Sequence, residues 1–241
     1  MSGSETEQLS RRQLFDRDGF VVERGLYAAD EMLEWKERAV GKIHELGVLE
    51  KEGTSGVKVF RPDALDPFFM SRMMDDHVVP ILTEIIGPDV EFLSVKSVYK
   101  NQATTFGSPW HQDWHYWEGA TKVSVWIALD DATAENGCLR MIPRSHTQLY
   151  KIKQVREPNG FVLRTEDSEF GGMPEVTLEV SRGDVVFFHD QVLHSSHPNF
   201  SGEDRWCMIS TYRDASVVDP SKAWDQGVVV SGSSVNPTGV A

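Results

Sequence analysis

The chain has 241 residues, enough for one domain with a full hydrophobic core, and its 40% apolar and 25% charged residues exclude disorder throughout. A formal net charge of −13 repels phosphate backbones and argues against nucleic-acid binding. Two cysteines, Cys138 and Cys207, are too few for a disulfide framework, and no stretch has the apolar length of a membrane span.

The opening MSGSETEQLSRRQ lacks the apolar core of a signal peptide, so a cytoplasmic protein with no membrane association is expected. Ser10 to Gln13 fits a capping box, starting a short helix that carries Leu14 and Phe15 inward. Gly19 to Leu26 reads as a first strand. Asp30 is the expected cap of a helix from Glu31 to Leu46, in which Met32, Trp35, Ala39, Ile43 and Leu46 recur at helical spacing. Residues 50–56 are polar and read as a loop. A helical region over Pro67–Ile86 is expected to break at Pro80 and to end at Gly87-Pro88.

Beyond this the pattern changes to short strands separated by turns: Glu91–Lys100, Lys122–Leu129, Cys138–Ile142, Val176–Val180, Asp184–Phe188 and Trp206–Tyr212. Leu149–Pro174 is long and weakly patterned and reads as a mobile loop or lid. The expectation is a single domain, helix-rich over 1–88, with a mainly β core over 89–215 and a loosely held tail over 216–241.

Chemistry concentrates in Trp110-His111-Gln112-Asp113. On a strand, His111 and Asp113 would share a face and form half of a metal site. A third ligand must come from Phe187–His197, where His189, His194 and His197 compete. Two imidazoles and a carboxylate make the facial triad of non-haem Fe(II) oxygenases, which leaves coordination positions open. Arg205, at the start of an apolar strand, offers the planar fork that pairs with a carboxylate.

Taken together, these segments resemble the phytanoyl-CoA dioxygenase family of iron(II)/2-oxoglutarate oxygenases. The resemblance rests on Trp110-His111-Gln112-Asp113, Trp126–Asp131, Glu135–Arg140, Ile142–His146, Gly183–His189 and His194–Ser201 followed by Arg205, in the family's order over most of 90–213. It implies a double-stranded β-helix, the cupin-like jelly roll, flanked by α-helices. It implies iron on His111, Asp113 and His194, with His189 structural and His197 in a loop. It assigns Arg205 and Ser196 to the distal carboxylate of 2-oxoglutarate and Trp126 to the wall of that site, with Lys58 and Lys96 at positions near the cosubstrate in some members. The implied reaction uses O2 to hydroxylate a C–H bond of a small molecule, releasing succinate and CO2. Asp113 argues against halogenation, because related halogenases lack this carboxylate.

The substrate is less legible. Trp110, Trp114, Tyr116, Trp117 and Trp206 are candidate cavity aromatics, Lys151, Lys153, Arg156 and Arg164 form a basic loop, and Arg144 replaces the glycine usual in the family's turn. Two other readings use the same scaffold: a cupin-like metalloenzyme without 2-oxoglutarate, and a non-catalytic metal-dependent binding protein. Neither needs Arg205 to hold a cosubstrate.

Overall fold

The computed structural model describes residues 9–46, 57–155, 161–224 and 226–237; the expected loop at 50–56, Arg156 and the turn Pro158-Asn159-Gly160 lie outside the described residues. The capping box forms as expected. Ser10 Oγ accepts from the Gln13 amide at 3.2 Å, and Gln13 Oε1 accepts from the Ser10 amide at 2.8 Å. It opens α1 (Arg11–Asp18), and β1 (Phe20–Glu23) follows. The next helix, α2 (Ala29–Glu45), starts earlier than expected, with Ala28 at the N-cap and no side-chain cap. Asp30 instead lies in the first turn, where its charge meets the positive end of the helix. Its stripe of Met32, Trp35, Ala39 and Ile43 is buried, whereas Leu46 is exposed just beyond the last turn.

After β2 (Val57–Phe60) come α3 (Pro67–Met73) and α4 (Val78–Ile85). The break falls at 74–77 rather than at Pro80. Pro80 occupies the first turn of α4, where its missing amide proton has no intrahelical acceptor to lose.

The β core contains β3 (Val90–Lys100), the short helix α5 (Trp114–Trp117), β4 (Lys122–Ala128), β5 (Leu139–Met141), β6 (Ile152–Gln154), β7 (Leu163–Thr165), β8 (Val176–Leu178), β9 (Val185–His189), β10 (His194–Ser196), β11 (Arg205–Asp214) and β12 (Val228–Ser231). The larger sheet runs β1-β9-β4-β11-β3-β12, with β2 also on β3, and the smaller runs β10-β5-β8. Both consist of antiparallel pairs. Within the expected lid, β6 and β7 form a separate two-stranded hairpin, so part of this segment is ordered.

Alternation sorts the side chains of the larger sheet into two layers. Val95 and Tyr99 of β3, Val123, Val125 and Ile127 of β4, and Trp206 and Met208 of β11 pack toward the helices. Facing the smaller sheet are Lys96, Val98 and Lys100 of β3, Arg205, Cys207 and Ile209 of β11, and Trp126 of β4. Phe92 also packs toward the helices, although it is three residues from Val95. The register explains this: Tyr212 pairs with Phe92 and Thr211 with Ser94, leaving Leu93 as the extra residue of a β-bulge.

The segment after Asp219, expected to be loosely held, is anchored. The Asp219 side chain is covered and pairs with Lys122 at 2.8 Å and Arg213 at 3.0 Å, while β12 adds a strand to β3. An exposed-looking run of Ser, Gly and Val hides this, because a single buried carboxylate supplies the attachment. Among the described residues no helix is long and apolar enough to cross a membrane.

Candidate active site

His111 reaches its position through a single antiparallel bridge to His194. Each residue's amide donates to the other's carbonyl at 3.0 Å, and the two rings lie 4.2 Å apart. Asp113 is not on a strand, contrary to the expectation of two ligands on one strand face. Its backbone is already helical (φ −60°, ψ −32°) at the start of α5. The bridge ends at His111, and the turn swings the carboxylate back, leaving Asp113 Oδ1 3.5 Å from His111 Nε2 and 3.9 Å from His194 Nε2.

The hydrogen bonds around the cluster determine what it can bind. His111 Nδ1 donates to the Pro109 carbonyl at 2.8 Å and His194 Nδ1 to the Val192 carbonyl at 2.9 Å. A carbonyl only accepts, so both protons sit on Nδ1 and both Nε2 lone pairs point into the cluster. Ser124 Oγ donates to Asp113 Oδ2 at 3.4 Å. Burial and the neighbouring His111 ring push the His194 imidazolium down to about 4, so this ring is neutral at pH 7. Burial opposes ionisation of Asp113, but the Lys96 charge leads the neighbours that outweigh it and hold the carboxyl well below its usual range. Three buried donor atoms thus lie within 4.8 Å of one another, with Nε2 lone pairs and an ionised oxygen directed inward, which fits a divalent ion of the facial-triad type.

This cluster lines one side of a cavity of about 550 Å³, within the range of small-molecule sites. Farther along the same cavity, Arg205 and Lys100 face each other in register on β11 and β3, both buried. Arg205 Nη1 donates to Cys207 Sγ at 3.0 Å and Nη2 to the Gly137 carbonyl at 3.1 Å, while its buried Nε has no partner among the described residues. Lys100 Nζ donates to Ser196 Oγ at 2.8 Å and to the His197 carbonyl. Burial, then Arg205, pushes the Lys100 ammonium down to about 6. Gly137 makes room for this arrangement: its φ is +105°, and a Cβ there would lie 2.6 Å from Lys100 Cδ.

The larger sheet contains an instructive contrast. Lys122 and Arg213 are also cross-strand cations, but Asp219 neutralises both and Glu91 holds Arg213 at 2.6 Å. Among the described residues neither Arg205 nor Lys100 has a carboxylate in ion-pair range, so the cavity presents a ready receptor for an organic carboxylate.

The other expected residues divide. Ser196 and Trp126 line the cavity, with the Arg205 guanidinium 5.7 Å from the Trp126 ring. Lys96 reaches it too, its Nζ 5.3 Å from the Trp117 ring. Lys58 is a correction. Its neighbours Val57 and Val59 line the cavity, so Lys58 falls on the opposite face, with Phe60 and the helix-side core. Tyr116 and Trp117 are cavity aromatics, whereas Trp206 stacks on Tyr99 in the helix-side core and Trp110 joins a separate cluster with Ile142, Tyr150 and Leu193. Arg144 turns outward toward Asp18, and Lys151 and Arg164 pair with Glu169 and Asp167. His189 packs against His146 and Phe15, away from the cluster. Sequence reasoning missed Lys100, Phe161 and Trp224, all on the cavity wall. Only Lys100 had left a signal, four residues from Lys96 and therefore on the same strand face.

A jelly roll with this donor set and this carboxylate receptor in one cavity is built for the non-haem iron, 2-oxoglutarate class of oxygenases. Comparison with known proteins gives the family: residues 15–207 match the model of phytanoyl-CoA dioxygenase (PhyH), and the chain belongs to that family. A bovine (Bos taurus) relative, phytanoyl-CoA dioxygenase domain-containing protein 1, is 30% identical over 81% of this chain and 86% of its own length. Among solved structures, the epimerase SnoN in complex with Fe3+, α-ketoglutarate and nogalamycin RO has a TM-score of 0.67 at 23% identity, covering 85% of this chain and 82% of SnoN. EvdO2 from Micromonospora carbonacea var. aurantiaca, complexed with 2-oxoglutarate, has a TM-score of 0.66 at 20% identity, covering 92% and 96% of the two chains. The structural likenesses establish the jelly roll, and family membership makes the chain an iron- and 2-oxoglutarate-dependent oxygenase.

Proposed function

We propose that His111, Asp113 and His194 hold one Fe(II) ion and that Arg205, with Lys100 and Ser196, holds the distal carboxylate of 2-oxoglutarate. One observation carries this reading: a single cavity has a convergent His-Asp-His donor set on one side and, on another, a buried guanidinium and a buried lysine without a counter-ion. Held there, iron and 2-oxoglutarate would supply the O2-dependent chemistry that hydroxylates a C–H bond of a small molecule with release of succinate and CO2.

The chain's own residues supply orientation and exclusion of water. The Pro109 and Val192 carbonyls fix both imidazoles as Nε2 ligands, and Ser124 steadies the free oxygen of Asp113. Trp126 walls the cosubstrate side, while Phe161, 4.9 Å from the His111 ring, and Tyr116 cover the metal side. Two free buried thiols, Cys138 and Cys207, favour a reducing cytoplasmic setting.

Anaerobic addition of Fe(II) and 2-oxoglutarate tests the assignment. The expected result is a weak visible charge-transfer band that His111→Ala and Asp113→Ala abolish. Arg205→Ala should weaken 2-oxoglutarate binding by about 2–5 kcal/mol. Metal binding without the band would favour the cupin-like reading, and unchanged cosubstrate affinity in the arginine variant would return Arg205 to a structural role.

A further inference from the structure

The chain is strongly acidic overall, yet its cavity is not. Among the described lining residues, Asp113 is the sole acid, against the cations Arg61, Lys96, Lys100 and Arg205. If the assignment above holds, the divalent ion and the dicarboxylate cosubstrate cancel in charge. Arg205 and Lys100 then face the distal carboxylate, Asp113 faces the ion, and Arg61 donates to the Ala223 carbonyl at 3.1 Å. Lys96 remains to be assigned.

Its position separates it from the cosubstrate pair. Along the inner face of β3, Lys100 pairs with Arg205, Val98 with Cys207, and Lys96 with Ile209. Lys96 therefore stands two residues up the strand from Val98, and four from Lys100. Its ammonium extends toward α5, lying 5.3 Å from the Trp117 ring centroid. Among the described residues no carboxylate comes within ion-pair range of it; Asp113 acts on it from farther off, and a divalent ion held by the triad would take up that charge. Its near wall is apolar or aromatic: Val59 and Ile209, its cross-strand partners, and Trp117 with Trp224 against it. A bound anion would give this ammonium the close charge partner that its wall lacks.

We infer that Lys96 is the specificity-determining residue of this oxygenase and that its substrate is a small organic acid with an apolar or aromatic body. The acid's carboxylate pairs with the Lys96 ammonium, and its body lies against Trp117 and Trp224. These two rings stand 5.1 Å apart, and the Ser221 hydroxyl ties their segments together by donating to the Trp117 carbonyl at 2.6 Å. The inference rests on the cosubstrate assignment above, which reserves Arg205 and Lys100 for 2-oxoglutarate.

The test uses full-length protein loaded anaerobically with Co(II) and saturating 2-oxoglutarate. Short aryl- and alkyl-carboxylic acids and their primary amides are titrated in, and binding is read from the Co(II) absorption spectrum. The acids should bind at least about tenfold tighter than the matched amides. Lys96→Met should erase that preference while leaving 2-oxoglutarate affinity within about twofold, and Lys96→Arg should retain it. Lys96→Gln, closer in shape and polarity, should behave like the methionine variant and keeps the test open if that variant folds poorly. Equal binding of acids and amides, or binding of neither, would overturn the inference. So would a Lys96→Met variant whose main defect is in 2-oxoglutarate binding, because Lys96 would then serve the cosubstrate. A wild-type protein that binds Co(II) but shows no response to 2-oxoglutarate would overturn the cosubstrate assignment, and this inference with it.

Discussion

Lys100 is a lysine whose charge the ligand-free fold opposes. Its ordinary value of 10.5 is pushed down to about 6, first by burial and then by Arg205. Between these two values the unfolded chain binds a proton that the folded chain does not, so stability rises with pH across that window. The penalty is absent above the unfolded value and complete below about 6. A carboxylate arriving beside Lys100 reverses the preference, so cosubstrate binding should take up a proton above about pH 6 and weaken as pH rises. Titration calorimetry at pH 8 in two buffers of different ionisation enthalpy measures this uptake. Lys100→Met should abolish it, weaken 2-oxoglutarate binding, and raise the ligand-free melting temperature at pH 7 by about 2–4 °C per kcal/mol relieved. Buffer-independent heats in the wild type would count against a protonating lysine. The neighbouring lysine Lys58 shows where sequence reading failed at this scale. Val57-Lys58-Val59-Phe60 has apolar residues of both parities, Val57 and Val59 on the cavity and Phe60 against the helix-side core, so alternation could not say which way the lysine points.

At the scale of elements, the segment after β11 matters more than its composition suggested. Asp219 ties it to Lys122 and Arg213 and brings Trp224 onto the cavity wall. Asp219→Ala leaves Lys122 buried without its counter-ion and should destabilise the protein by about 3–5 kcal/mol in urea unfolding. The charge-transfer band should survive in the protein that remains folded, because the metal donors and Arg205 take no part in this network. Loss of the band in folded protein would show that the C-terminal segment also shapes the metal site. Helices and strands were mostly legible where periodicity was regular, as in the capping box and the α2 stripe. The turn into α5 was not, since a short His-Gln-Asp spacing fits both a strand face and a bridge followed by helix. The metal ligands were legible as residues even though their backbone geometry was not.

For the molecule as a whole, the site draws on both sheets. His194 and Ser196 lie on the smaller sheet, whereas Arg205, Lys100 and Trp126 lie on the larger. A cosubstrate held at both places clamps the sheets together, so its binding is linked to global stability. Mn(II) and 2-oxoglutarate together, each at about 100 times its dissociation constant, should stabilise the fold by more than the two separately, where a single such ligand contributes about 2.7 kcal/mol. Asp113→Ala should remove this synergy in thermal melts, and purely additive shifts in the wild type would mean that the two sites do not communicate. The motif order over 90–213 made this two-sheet arrangement legible in advance. The positions of Phe161 and Trp224 were not legible, because nothing in their local sequence says which wall a distant segment will complete.

The bulge at Leu93 gives the strand's length a meaning that its chemistry does not have. Substituting Leu93 changes packing at one point. Drawing it into the ladder opposite Thr211, while β12 and the first part of β3 keep their pairing, would put the rest of the strand out of phase. Ser97 and Tyr99 would then face the cavity, and Lys96 and Lys100 would be driven into the helix-side core. What this spot encodes is an unpaired position, and a chain with every functional side chain present but Leu93 paired like its neighbours would carry its charges on the wrong side of the sheet.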